Sequence, residues 1–216
     1  MKKSMNTRKL VLMALMAAMS YVIVCLVRIP VVPVDFLRYE PKDTIIVTAG
    51  FLFGPLATVA ISAVVSLLEM VTISDTGIIG CIMNILSTCA FATVASLIYH
   101  RKRTMAGAVT GLSAGIVTAT TVMLLWNWVL TPLYEGIPRA AVEGMLLPII
   151  LPFNLLKAGL NTGLTLLLYK PLVNSLRKLR LIEHRESSGS FHWTGIFIAL
   201  GILVVCISAA VLILHS

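Results

Sequence analysis

Residues 145–171, MLLPIILPFNLLKAGLNTGLTLLLYKP, constrain the fold more than any other stretch of this chain. The run is long enough to cross a bilayer as a helix, which takes about 20 apolar residues. Asn154, Lys157 and Asn161 interrupt it. Helix positions three, four or seven apart share a face, so these side chains form one polar stripe on an apolar rod. Pro148 and Pro152, one turn apart just upstream, remove backbone donors and favour a bend. An ammonium at that depth costs roughly 2.5–3.5 kcal/mol on insertion scales. It must therefore face protein or a water-filled interior, either as a handle for a ligand or ion or as the partner of a carboxylate on another helix.

The rest of the chain has the same character. With 216 residues, 58% hydrophobic and only 12% charged, and a mean hydropathy of +0.98, it reads as an all-α integral membrane protein. The net charge of +8 would point to nucleic acid in a soluble protein. Here the basic residues cluster beside apolar runs, so no nucleic-acid partner is expected. No polar connector is long enough for a water-soluble catalytic domain, and no GxxxxGK[ST] loop is present. Any use of ATP then belongs to a partner. Cys25, Cys81, Cys89 and Cys206 lie in apolar spans without CxxC spacing and read as small core residues, so no metal site is expected.

Charge fixes the expected topology. Lys2, Lys3, Arg8 and Lys9 precede an apolar run, 10–27, read as an uncleaved first helix. Residues 28–42 form a proline-containing loop. Residues 43–68 can make one helix or two, divided at Gly54-Pro55. Only the division puts the basic clusters 100–103 and 177–180 on the same, cytoplasmic side as the N-terminus. Glycine ends helices and proline starts them, so the local chemistry agrees. Further spans follow at 55–72, 77–99, 105–130 and 145–171. The expected organisation is thus a six-helix membrane domain over 1–175, a basic cytoplasmic linker over 176–193 and an additional transmembrane helix within 194–216. Of the 17 Lys and Arg residues, Arg28, Arg38, Lys42 and Arg139 fall outside and Lys157 within the membrane; the others fall inside. Gly107, Gly111 and Gly115 make a small-residue ridge for close helix contact, and Ala14 and Ala18 make another on the first helix. The alanine face suits either a helix of this chain or an external partner.

With that orientation, polar groups collect in the outer half. At about 1.5 Å per residue, Asn154 and Lys157 lie about 13 and 18 Å below the outer end of their helix. Asn84, Asn127 and Glu69 lie near the outer ends of theirs. Phe36, Tyr39, Trp126, Trp128, Tyr134 and Phe153 are near the same level, as pocket walls or as an interfacial aromatic belt. An amide-rich pocket with one ammonium suits a flat, neutral ligand with several hydrogen-bonding groups. Asp43 and Glu69 have no His neighbour and no metal-ligand spacing, so no catalytic residue is assigned.

The segments FLRYEPKD (36–43), TAGFLFGP (48–55), SDTGIIGCIMNIL (74–86) and PFNLLKAGLN (152–161) resemble the S component of energy-coupling factor (ECF) vitamin transporters. The resemblance covers about residues 8–175 and is strongest to the riboflavin-binding S component. It implies a six-helix bundle that binds riboflavin from outside the cell membrane, with no cofactor of its own. It also implies a transmembrane coupling subunit and two ATPase subunits as partners. By the same resemblance Ala14 and Ala18 dock the coupling subunit, and Asn127, Asn154 and Lys157 are polar contacts to the vitamin. The segment from Phe36 to Asp43 would close over the ligand. Two features depart from the pattern: the apolar helix at 194–214, and Glu69, at a level where an amide or imidazole is expected. Alternatives are an S component for another vitamin or precursor, a membrane enzyme and a structural membrane subunit.

Overall fold

A computed structural model describes residues 7–31, 37–74, 76–178 and 194–215. The long apolar runs fold as helices because backbone groups in lipid must be satisfied within their own segment. The helices are α1 (Thr7–Leu26), α2 (Lys42–Phe53), α3 (Pro55–Thr72), α4 (Gly77–Thr88), α5 (Val94–Lys102), α6 (Met105–Glu135), α7 (Arg139–Met145), α8 (Leu151–Lys178) and α9 (Thr194–His215). Among the described residues, α1, α3, 77–102, α6 and 139–175 are long and apolar enough to cross a membrane. A hairpin, unexpected from the sequence, joins β1 (Ile29–Pro30) to β2 (Arg38–Tyr39), with Ile29 opposite Tyr39.

The break at Gly54-Pro55 is present. Gly54 has φ 102°, a conformation that side chains with a Cβ rarely adopt, and Pro55 begins α3. The resulting α2 has 12 residues, about 18 Å long, too short to span a bilayer by itself. It needs no lipid-facing surface, since Lys42 to Phe51 are all buried. α1, α3, α5 and α8 pack around it.

Three other spans differ from the expected bounds. The fourth runs on to Lys102 through a π turn at Cys89–Thr93. The fifth continues past 130 to Glu135, with Pro132 inside its last turns. The sixth begins earlier: α7 leads through a π turn at Leu146–Ile150, which contains Pro148, into α8. α8 ends at Lys178, so the start of the expected linker is helical, and 179–193 lie outside the described residues. The ridge on α6 works within the chain. A Cβ at Gly111 would stand 2.6 Å from Ala95 O, and one at Gly115 2.7 Å from Phe91 O, so α6 seats directly on the 89–102 backbone.

The bundle has two unlike ends. At one, Lys9 Nζ donates to Phe53 O at 3.0 Å and His100 Nε2 donates to Gly50 O at 3.0 Å. There Tyr99 stacks on Phe51 with centroids 4.3 Å apart, and its hydroxyl meets that of Tyr169 at 3.0 Å. The other end carries the hairpin and most of the buried charge.

Candidate functional site

The hairpin delivers Glu40 and Lys42 to the head of α2, where α3 presents Glu69. Lys42 Nζ lies 2.9 Å from Glu40 Oε2 and 2.6 Å from each oxygen of Glu69. Asn84 Nδ2 donates to Glu69 Oε2 at 2.9 Å from α4. Arg28 Nε reaches Glu40 Oε1 at 3.1 Å, and Arg28 Nη1 reaches Ile73 O at 2.9 Å. Lys42 is 1% exposed and Glu69 2%. Two cations and two carboxylates thus balance at the head of α2, with Lys42, Glu40 and Glu69 almost wholly buried. Such an arrangement gains little over apolar packing, but removing one partner leaves an uncompensated buried charge. Burial alone would raise the Glu40 carboxyl; the ammonium groups of Lys42 and Lys157 and the guanidinium of Arg28 outweigh it and hold the group at about 2.

Beside this cluster lies a cavity of about 220 Å³. α8 contributes Phe153, Asn154 and Lys157 to its wall; α4 contributes Met83, Asn84 and Ser87; α6 contributes Met123 and Glu135. Leu37, Arg38, Glu40, Arg28 and Glu69 complete the hairpin side, with Ser74 and Thr76 from the α3–α4 connection. Asn154 Nδ2 donates to Ile150 O at 2.8 Å, which leaves its Oδ1 as an acceptor. No ion pair or hydrogen bond joins Lys157 to any described residue. Both glutamates of the cluster nevertheless lie within its electrostatic reach.

The residues singled out in the sequence divide accordingly. Glu69, Asn84, Asn154 and Lys157 line the cavity. Three others are placed elsewhere. Asn127 is fully buried, donating to Met123 O at 2.7 Å and accepting from the Thr131 hydroxyl at 2.8 Å, so both ends of its amide are used within α6. Asp43 is 3% exposed and accepts from the Thr88 hydroxyl at 2.7 Å, below the loop expected to close over a ligand. Tyr39 packs in an apolar cluster with Val31, Leu37, Ile150, Phe153 and Leu156, and burial pushes its hydroxyl above the usual range. Phe36 lies outside the described residues. Of the aromatic candidates, Phe153 reaches the cavity, whereas Trp128 is exposed and donates to Glu143 Oε1 at 3.0 Å.

Lys42, counted on the outer side with the loop, is buried in the bundle head at the hairpin end, where it pairs with Glu69. An intramembrane carboxylate was the signal that could have found it: such groups are rarely left unpaired, and RYEPK supplies a nearby ammonium. Arg28, Arg38 and Glu40 likewise fall in a stretch whose sequence marks it only as a loop. Away from the site, Ala14 and Ala18 are exposed on α1, while Met13, Met16, Ala17 and Ser20 face inward.

A helical membrane bundle enclosing a mixed polar and apolar cavity near one end has the construction of a solute-binding membrane protein. Among the described residues no cluster of His, Cys, Asp or Glu is arranged to hold a metal. The family model described as "ECF transporter, substrate-specific component" matches residues 8–169, and the chain belongs to that family. It is a transporter component and not an enzyme. The chain is similar to the riboflavin transporter RibU of Staphylococcus aureus, 28% identical over 182 residues, covering 81% of this chain and 95% of the relative. It is also similar to the riboflavin transporter FmnP of Bacillus subtilis, 24% identical over 190 residues, covering 82% of this chain and 100% of the relative. A solved structure of the S component of a bacterial ECF transporter superposes with a TM-score of 0.67 at 30% identity, covering 80% of this chain and 99% of that one. The residues matched by the family model stop at 169, before α9.

Proposed function

We propose that this S component binds riboflavin in the cavity at the hairpin end, with Lys157 and Asn154 as its principal polar contacts. The observation that carries the reading is the Lys157 ammonium, which stands in the cavity wall beside Asn154 with no hydrogen bond or ion pair to a described residue. An ammonium there donates to carbonyl oxygens or ring nitrogens of a heteroaromatic ring, and Asn154 Oδ1 accepts from a ring N–H. Leu37, Met83, Met123 and Phe153 supply apolar surface for the ring faces. The volume of about 220 Å³ is below the roughly 300–1,000 Å³ of typical ligand sites. Entry of a three-ring ligand therefore requires side chains to yield, which unbranched methionines do readily. The names of the relatives support riboflavin over other vitamins.

The same reading places the protein in the cell membrane with its N-terminus cytoplasmic and the hairpin end outward. A transmembrane coupling subunit and two ATPase subunits complete the importer, the former docking on the exposed face of α1 at Ala14 and Ala18. Small residues let a partner backbone approach closely, which matters in lipid because apolar burial contributes little there. Purified in detergent, the protein should quench riboflavin fluorescence on titration, with a one-to-one end point. Absence of quenching with folded, monodisperse protein would sink the riboflavin assignment. Ala14→Trp with Ala18→Trp should abolish co-purification with the coupling subunit and stop uptake while leaving that titration unchanged. Lost binding in the isolated double variant would remove the alanines from the docking face.

A further inference from the structure

The helix beyond the matched family residues is seated on the helix that carries the site. A Cβ at Gly159 would stand 2.6 Å from Cys206 Sγ, and one at Gly163 2.7 Å from Leu203 Cγ and 3.3 Å from Ala199 O. Ala199 is fully buried by this contact. α9 therefore lies along α8 in the opposite direction, and farther along it Ala209 packs against the apolar cluster of Leu37, Tyr39, Phe153 and Leu156. At 100° per residue, Gly159 and Gly163 lie about 140° and 180° round α8 from Asn154. The face that meets α9 is thus opposite the face that presents Asn154 and Lys157 to the cavity. α8 is held between the cavity on one side and α9 on the other.

We infer that α9 is a brace for the binding site: it fixes α8 from behind, with Ala209 against the apolar cluster that α8 shares with the hairpin, and so slows ligand release. Without that support α8 would expose two glycines, and its position across the cavity would rest chiefly on α6, α2 and the hairpin cluster. The inference rests on the proposed riboflavin site for its ligand readout. Asn154, Lys157, Ala199, Leu203 and Gly201 are then unequal in their effects. The first two touch the ligand; Ala199 and Leu203 act through α8; Gly201, with nothing within 4 Å of its built Cβ, should be inert.

The test uses the full chain in detergent. Gly163→Leu pushes α9 off α8, Leu203→Ala removes the contact without a clash, and Gly201→Leu is the control. Two rates are read. One is release of bound riboflavin, followed by recovery of its fluorescence after dilution. The other needs no ligand: maleimide labelling of Ser87→Cys in the cavity wall, with Cys25, Cys81 and Cys89 replaced. Cys206, which forms the contact with Gly159, is kept, and its own labelling, measured in the protein with Ser87 intact, is subtracted. Gly163→Leu should raise both rates about fivefold or more, the scale of a modest coupling between sites. Leu203→Ala should raise them less, and Gly201→Leu should leave them alone. Wild-type rates in Leu203→Ala and in folded Gly163→Leu would overturn the brace. If Gly163→Leu does not fold, Leu203→Ala against Gly201→Leu decides. Should the wild type bind no riboflavin, the proposed function falls, and the labelling rates decide the brace on their own.

Discussion

Two lysines occupy the hairpin half of the bundle and are held in opposite ways. Lys42 is closed off from water, with two carboxylates around its ammonium and an arginine completing the charge balance. Lys157, half-buried, stands at the wall of a cavity with no hydrogen bond to a described residue. The first is enclosed by its carboxylates and out of a ligand's reach; the second has all three donors available. Taking a charge out of water is costly in both places. The difference is in how the compensation is made: Lys42 is ion-paired directly, while Lys157 has only the more distant fields of Glu40 and Glu69 and keeps its donors for the solute or for water. A paired charge locks the head of α2 to α3, and an unpaired one lines the proposed binding cavity.

The sharpest way to break this comparison is Lys42→Met. It strands Glu40 and Glu69 without their shared cation, a loss of about 3–5 kcal/mol for a buried pair. The variant should aggregate or melt far below the wild type whether or not riboflavin is present. A stable Lys42→Met protein with weakened binding would show instead that the cluster belongs to the ligand. Lys157→Met is the reciprocal case. It should weaken riboflavin binding about tenfold or more, equal to about 1.4 kcal/mol, and leave the melting temperature of the ligand-free protein near that of the wild type. Failure of that variant to fold would make Lys157 as structural as Lys42.

Acid provides a smaller probe of the same contrast. Glu40 is held at about 2, against an ordinary value of 4.5. The unfolded chain therefore takes up the proton first as pH falls. The stabilisation from Glu40 is complete above about 4.5 and is lost progressively down to about 2. Thermal melts between pH 5 and pH 3 should show falling stability that a Glu40→Gln variant, itself less stable at pH 7, shows to a smaller extent. Equal slopes in the two proteins would place the acid sensitivity in other groups.

How much of this was legible in the sequence depends on the range of the interaction. The membrane spans, the break at Gly54-Pro55 and the polar stripe on α8 follow from hydropathy, from the conformational limits of glycine and proline, and from helix periodicity. All of these act within a few turns of chain, so the sequence by itself determined them. The family was likewise readable in short segments such as PFNLLK. What only the tertiary structure decided is which polar groups satisfy one another. Asn127 looked like a pocket residue by depth, yet its amide is consumed by Met123 and Thr131 on its own helix. Asp43 looked like part of a closing loop, yet Thr88, 45 positions away, takes its carboxylate. Lys42 stands in the sequence only as an outer-side charge at the end of a loop, and the fold brings Glu69 to it across 27 positions. Nor does the sequence say that α9 lies behind α8, since an apolar helix can pack on any apolar face. Hydrogen bonds and ion pairs are short and directional, so their partners are set by how the helices pack, and by nothing that a linear pattern carries.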